Sequence, residues 1–389
     1  MVKKPELIIF SNYIITGIGS FYRNMLENEA SAAFDKKVIQ ISYDTWPDAK
    51  MTKPFGLSEE IIFEVKEKDQ ETMYDMARRL EKFISNEDGL LVTNFETELF
   101  AMNVYPKNNK TVYFICHDDR HFEIAKRFEF LIDVFISHNP VYADWFREQF
   151  PARAKDTFYI PYGIRLLPVK RSENRDRTLN IVWLARLVEH KGIKYIPVID
   201  QLLKDKGVRV NWTIIGDGPE KEPAMKSVEG RDNFSFHTPP DYKSVVDLLQ
   251  QQDLYILPSR LDGLPVALIE AMSVGCVPVI SEFNPGMKKI VTADMGFVLP
   301  VGDMEKFAET IISLDRDRQK LEQLSRTSRD RVYANYDVNR QAAEYFNLFG
   351  RYKEFRREKK SKKLLYPRQF LVHALIPKFL RGPIKSLVK

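Results

Sequence analysis

Runs of β-branched and aromatic residues alternate along this chain with segments whose apolar positions recur every three or four residues, the spacing of one helix face. Strands that alternate with helices imply crossover connections, and so parallel sheets with helices packed on both faces. In the first half, strands are expected at residues 6–10, 37–43, 89–94, 111–116, 133–137 and 157–160, with helices at 24–32, 70–85, 122–130 and 140–150. In the second half, strands are expected at 179–185, 208–215, 233–236, 253–257, 277–280 and 296–299. The helices between them are expected at 193–206, 243–250 and 266–274, with a helical run from 303 almost to 360.

Residues 161–178 interrupt this rhythm with Gly163, Pro168 and the polar run 170–177, as a crossing between domains does. The expected architecture is α/β, with two Rossmann-like, doubly wound parallel-sheet domains at 1–165 and 179–350, a linker at 166–178 and a tail at 351–389. Open sheets of this kind bind ligands at the carboxyl ends of their strands, so a cleft between the two domains is the expected reaction site.

With 389 residues, of which 44% are hydrophobic and 29% charged, the composition is that of a globular protein and excludes a disordered or collagen-like chain. Cys116 and Cys276 fall in strand-like runs and read as core thiols in a reducing compartment. The longest apolar stretch, 264–281, contains Pro265, Glu270, Gly275 and Pro278, which suit helix, turn and strand better than a membrane span. After Lys3 and Lys4 the apolar run is only 7–10, too short for a secretory signal, so a cytoplasmic location is expected.

The net charge of +5 conceals an uneven distribution: residues 351–389 hold 13 basic and 2 acidic side chains, +11, which leaves −6 on the rest. A basic block of this kind suits a polyanionic surface. Beyond the basic run 359–363, apolar and basic residues interleave, and Pro367, Pro377 and Pro383 prevent one long helix. Short amphipathic pieces of that composition suit the inner face of an anionic membrane, with packing against the N-terminal domain as the alternative for the apolar half. Nucleic acid is not expected, because no binding module or aromatic stacking platform accompanies the charge.

Two segments carry candidate chemistry. In 254–280, LYILPSRLDGLPVALIEAMSVGCVPVI, Asp262 lies in the loop after a strand and Glu270 in the helix that follows. A carboxylate at that edge can accept hydrogen bonds from the two hydroxyls of a ribose; a surface Asp and a helix-capping Glu are the plainer alternative. In 181–192, Arg186 and Lys191 sit between a strand and a helix, where backbone N–H groups and cations together suit a diphosphate, unless both are merely solvated. The run 216–219, GDGP, lacks the lysine of a phosphate loop and reads as a turn that shapes a pocket wall. Three adjacent polar residues, His117, Asp118 and Asp119, cannot all converge on a metal from an extended strand, so no metal site is expected.

The pieces WLARLVEHKG, TIIGDGPEKE, LYILPSRLDGLPVALIEAMSVGCVPVI and MGFVLPVGD resemble, in order and spacing, the C-terminal domain of glycosyltransferase family 4, which has the GT-B fold. Gly17 and Gly19, His117 after TVYFIC, the SHN segment at 137–139 and YIPYGI at 159–164 resemble the family's N-terminal half. The resemblance implies that Arg186 and Lys191 hold the diphosphate of a UDP- or GDP-linked sugar, that Glu270 binds the ribose and that Asp262 addresses the sugar. It also implies that Gly216, Gly263, Leu264 and Pro265 line the donor site, and that His117 lies beside the transferred sugar with the backbone near Gly17 and Gly19 closing over it. The implied reaction is a retaining transfer without metal or cofactor onto a glycan or lipid-linked acceptor. A nucleotide-sugar epimerase or hydrolase and a non-catalytic partner subunit of the same fold are the alternatives.

The chain also departs from the family's pattern. It has Asp262 where the family usually has Glu, and SEFNPGMKKIV at 281–291, with Lys288 and Lys289, where the family has a Gly-Gly loop and an acid. An altered environment for the donor's sugar is the expected consequence.

Overall fold

The computed structural model of the protein describes residues 3–14, 17–45, 55–57, 59–69, 71–169 and 178–360. The polar run at 170–177 and the tail from residue 361 onward lie outside the described residues. The chain divides into two compact units, Met1–Gly163 with Asn339–Lys389, and Ile164–Val338.

The first unit contains a seven-stranded sheet of β1 (Glu6–Asn12), β2 (Asp35–Tyr43), β3 (Glu59–Val65), β4 (Gly89–Thr93), β5 (Lys110–Cys116), β6 (Val134–Ser137) and β7 (Thr157–Tyr159). All its pairings are parallel, in the order β3-β2-β1-β4-β5-β6-β7. Every residue of β4 and β5 is buried, as strands covered by helices on both faces must be. Phe10, Phe100, Phe114, Phe135 and Phe146 fill the core on one side of this sheet.

The second unit is built on β8 (Leu179–Leu184), β9 (Val210–Ile215), β10 (Phe234–His237), β11 (Leu254–Leu257), β12 (Val277–Ser281) and β13 (Phe297–Leu299). This sheet is also entirely parallel, in the order β10-β9-β8-β11-β12-β13, with Trp183, Trp212, Leu203 and Phe307 in its core. In both sheets the first strand lies at the reversal of winding: β1 between β2 and β4, and β8 between β9 and β11. The loops leaving two such neighbours diverge to opposite faces, which opens a crevice at their carboxyl ends.

Three expectations are corrected. β3 was not anticipated, because Glu59, Glu60 and Glu64 mask its apolar positions; it is an edge strand paired only with β2, where charge is tolerated. The first helix is Gly17–Leu26, followed by a 3-10 turn at Glu29–Ala33, in place of a helix at 24–32. Its buried stripe of Phe21, Tyr22, Met25 and Leu26 overrides the poor helix propensity of two glycines in the first turn. Finally, the residues from Asn339 belong to the first unit, so the second ends before the expected residue 350. The helix Val338–Gly350 packs Phe346 on Phe34 and Phe349 on Tyr113, whose hydroxyl donates to the Leu348 carbonyl at 3.0 Å. The helical run before it breaks at Asp317, whose side chain caps the helix Arg318–Asn335.

Candidate functional site

The loops after β8 and β11 flank the switch point of the second sheet. They are stitched together at His190, whose carbonyl accepts from the Arg260 N–H at 2.8 Å and the Ser259 hydroxyl at 2.9 Å. Gly192 makes the close approach possible: its φ is 78°, and a Cβ there would lie 2.1 Å from the Pro258 carbonyl oxygen. Two 3-10 turns, Glu189–Lys191 and Ile193–Tyr195, then lead into the helix Ile196–Asp205, so the helix starts later than expected and Lys191 lies in the turn before it.

This stitching brings Lys191 against Asp262, and the ammonium donates to the carboxylate Oδ2. Both side chains are largely shielded, at 17% and 15% exposure. The other carboxylate oxygen accepts the Gly263 N–H at 2.9 Å. Asn284, buried in the loop after β12, donates through Nδ2 to the carbonyls of Asp262 at 3.0 Å and Gly263 at 2.7 Å, and its Oδ1 accepts the Gly286 N–H. Asn284 thus holds the Asp262 loop in place; the sequence reading of 281–291 attended to its lysines and passed over this amide. Lys288 is exposed and pairs with Glu282.

Arg186 lies exposed at the start of the loop after β8, and its guanidinium has no hydrogen bond or ion pair among the described residues. Glu270 stands on the first turns of the helix Val266–Ser273, half-buried. Among the described residues no cation or donor offsets its desolvation, and burial pushes its carboxyl up to about 7. Gly263, Leu264 and Pro265 are buried and shape the loop between the two acids. Gly216 backs onto the β8 loop, where a Cβ would lie 2.0 Å from the Ala185 carbonyl oxygen, and the Asp217 carbonyl accepts the Leu187 N–H at 2.9 Å. It therefore packs a wall of this region, without a phosphate-loop geometry.

In the first unit, His117 leaves the end of β5 and is 7% exposed. Tyr22 donates to Asn94 Oδ1 at 2.6 Å while Asn94 Nδ2 donates to the Phe10 carbonyl, so the oxygen faces His117 and Nε2 of His117 must carry the proton. Nδ1 of His117 then accepts from the Tyr162 hydroxyl at 2.8 Å, and its backbone N–H donates to His121 Nδ1. Both ring nitrogens thus have partners within the first unit. Burial pushes the pKa of His117 well below the usual histidine range, that of His121 to about 4 and that of His138 to about 3.

Behind this network, Glu98 Oε1 accepts the N–H groups of Asn94 and Phe95 at 2.8 Å each, and burial pushes its carboxyl up to about 7. Asn94 and Glu98 carried no signal in the sequence beyond following a strand. Gly17 and Gly19 lie in the helix Gly17–Leu26 and form no loop. Asp118 is ion-paired with Arg120, and among the described residues no group of three or more His, Cys, Asp or Glu is arranged to hold a metal ion. Cys116 and Cys276 are buried thiols, not joined in a disulfide.

Residues 169–331 match the family model described as Glycosyl transferases group 1. WcaL of Escherichia coli K12, named for colanic acid biosynthesis, is 30% identical over 174 residues, 42% of this chain and 42% of its own. The N,N'-diacetylbacillosaminyl-diphospho-undecaprenol alpha-1,3-N-acetylgalactosaminyltransferase of Campylobacter jejuni is 28% identical over 179 residues, 46% of each chain. The chain thus spans less than half the length of these curated relatives. Among solved structures, HepE of Anabaena in complex with UDP has a TM-score of 0.67 at 15% identity, covering 88% of this chain and 100% of that one. The match to the Glycosyl transferases group 1 model is confined to residues 169–331, and the two parallel-sheet units of the chain have the fold of GT-B glycosyltransferases.

Proposed function

We propose that the protein is a retaining, metal-independent glycosyltransferase that moves a sugar from a UDP- or GDP-linked donor to a lipid-linked or cell-envelope glycan. The observation that carries this reading is the unpaired, half-buried carboxyl of Glu270 at the same switch point as the Lys191–Asp262 pair. A carboxylate without donors among the described residues is prepared for the two hydroxyls of a ribose, while Lys191 and Arg186 supply positive charge for the diphosphate. As the bond to the anomeric carbon breaks, negative charge grows on the leaving phosphate, and fixed cations stabilise it more than they stabilise the ground state. Two cations so placed take the part that a divalent ion plays elsewhere. In a retaining transfer the acceptor hydroxyl attacks from the leaving group's own face and the departing phosphate takes its proton. Asp262 accepts hydrogen bonds from the sugar, and His117 contributes by holding the ends of the first sheet's central strands in register.

The acceptor class is supported by relatives named for colanic acid biosynthesis and for a diphospho-undecaprenol substrate. Among the described residues no helix is long and apolar enough to cross a membrane. Residues 361–389 carry seven basic and no acidic side chains, which suits peripheral attachment to the cytoplasmic face of an anionic membrane.

The test is a panel of nucleotide sugars with polyprenyl-diphosphate-linked acceptors, with and without a chelator. Donor consumption should require acceptor, survive chelation, give a product with the donor's anomeric configuration, and vanish in Glu270→Ala and Lys191→Ala. Unchanged turnover in both variants would refute the site, and conversion of donor without acceptor would favour an epimerase or hydrolase.

A further inference from the structure

We propose that Asp262 makes the site prefer a nucleotide that bears a sugar over the bare nucleotide, by occupying Lys191 whenever no sugar is present. The proposal rests on the nucleotide-sugar reading above and adds a specificity role that this reading does not contain.

The pair is built into the fold. Lys191 is fixed by the Gly192–Pro258 approach and the two hydrogen bonds at the His190 carbonyl, and Asp262 is fixed by Asn284 and the Gly263 N–H. A diphosphate that takes Lys191 deprives Asp262 of its cation and leaves a largely shielded carboxylate with the Gly263 N–H. Such a carboxylate is costly unless new donors reach it, and a nearby diphosphate adds repulsion between like charges.

Sugar hydroxyls are the missing donors. A nucleotide sugar therefore exchanges one ion pair for two satisfied groups, Lys191 with phosphate and Asp262 with hydroxyl. A bare nucleoside diphosphate satisfies Lys191 and strands Asp262. Its apparent affinity is reduced by the small fraction of molecules in which Lys191 is free. The same exchange favours departure of the nucleotide once the sugar has left, because Asp262 returns to Lys191. This is discrimination by a repulsive and unsatisfied element in the wrong complex.

The test uses the full chain and calorimetric titration with UDP, GDP, UDP-glucose and GDP-mannose. Asp262→Asn keeps the acceptor for the Gly263 N–H and removes the charge. It should bind the bare nucleotide of the preferred base about fivefold or more tightly than the parent, in the range of ordinary coupling effects, and bind the nucleotide sugar no more tightly. In a Lys191→Ala background the Asp262→Asn gain should shrink to the share owed to relieved repulsion, since there is no ammonium left to compete for. Should Asp262→Asn unfold, Asp262→Ser carries the same comparison, with the midpoint of thermal unfolding as the check on each. A bare nucleotide bound no more tightly by the Asp262 variant, or an equal gain without Lys191, overturns the proposal. Absence of any nucleotide or nucleotide-sugar binding by the parent chain overturns the underlying reading as well, and is distinguishable because no variant would then bind.

Discussion

The ammonium of Lys359 is fully buried, 2.7 Å from the carboxylate of Asp133, and also donates to the Lys110 carbonyl at 2.9 Å. Asp133 in turn accepts the N–H groups of Val112 and Arg357. The six basic residues of 351–360 are all in ion pairs, with Asp88, Glu129, Asp133, Glu354 and Glu358. The basic block therefore divides into a clamp that belongs to the first unit and a segment, 361–389, whose charges have no acid among them.

Two truncations separate these parts. Ending the chain after Lys360 should leave urea stability unchanged and abolish salt-sensitive binding to vesicles of phosphatidylglycerol. Ending it before Lys359 removes the buried ammonium and leaves Asp133 with Arg357 and the Val112 N–H, and should cost less than the about 3–5 kcal/mol of a buried charge left with no partner. Equal unfolding midpoints for the two shortened chains would count against the clamp, and equal vesicle sedimentation of full-length and shortened chains against the membrane reading.

Gly192→Ala should lower both stability and nucleotide affinity. Its positive φ costs an alanine about 1–2 kcal/mol. The contact at 2.1 Å with the Pro258 oxygen must in addition be relieved by moving the backbone that carries Lys191. Gly207 is the control: its φ is 71° with nothing within 4 Å of a Cβ, so Gly207→Ala should lose only the conformational share and keep its affinity. Matching losses in the two variants, by urea unfolding and calorimetry, would contradict the pinning of the loop.

Glu270 should make donor binding pH-dependent. Its carboxyl is pushed up to about 7, and only the ionised form accepts hydrogen bonds from both ribose hydroxyls. Affinity for a nucleotide sugar, whose diphosphate diester does not titrate here, should fall as pH drops below 7, approaching about tenfold per pH unit. Glu270→Gln should bind weakly and show a flat profile; a sloping profile in that variant would assign the titration elsewhere.

Stability should fall with acid in two stages. His117, His121 and His138 have pKa values depressed below 6.5, so as pH falls through 6.5 the unfolded chain binds more protons and each histidine removes up to about 1.4 kcal/mol per pH unit. Glu98 and Glu270 act oppositely: raised to about 7 from 4.5, they take up protons in the folded state first, so their contribution grows as pH falls from 7 to 4.5. Between 6.5 and 4.5, two groups offset three and the loss is shallow. Below 4.5 the glutamates no longer change while His138 continues down to about 3, so the loss steepens. Urea titrations across this range should show the break near pH 4.5, and His138→Gln should soften the lower limb. A single uniform slope would contradict the assignment.

The alternation of strand-like and helix-like runs was sufficient for two parallel-sheet units, because strands covered on both faces must be continuously apolar and helices between them must be amphipathic. Local signals likewise placed Arg186, Lys191 and Asp262 in the loops after strands and Glu270 in the helix that follows, since a turn between strand and helix is written in neighbouring residues. They could not show β3, whose glutamates conceal an edge strand, or that the residues from Asn339 return to the first unit, because such packing is decided by faces distant in sequence.

Single residue types suggested a role for His117 but not its partners; tertiary structure delivers Asn94 and Tyr162 from two other strand ends to its nitrogens. Asn284 and Gly192 acquired their parts in the same way. The sequence by itself determined the elements, the charges and which side chains stand where strands end. Only the fold decided which of those groups are satisfied by one another, because hydrogen bonds and ion pairs join positions that no local pattern connects.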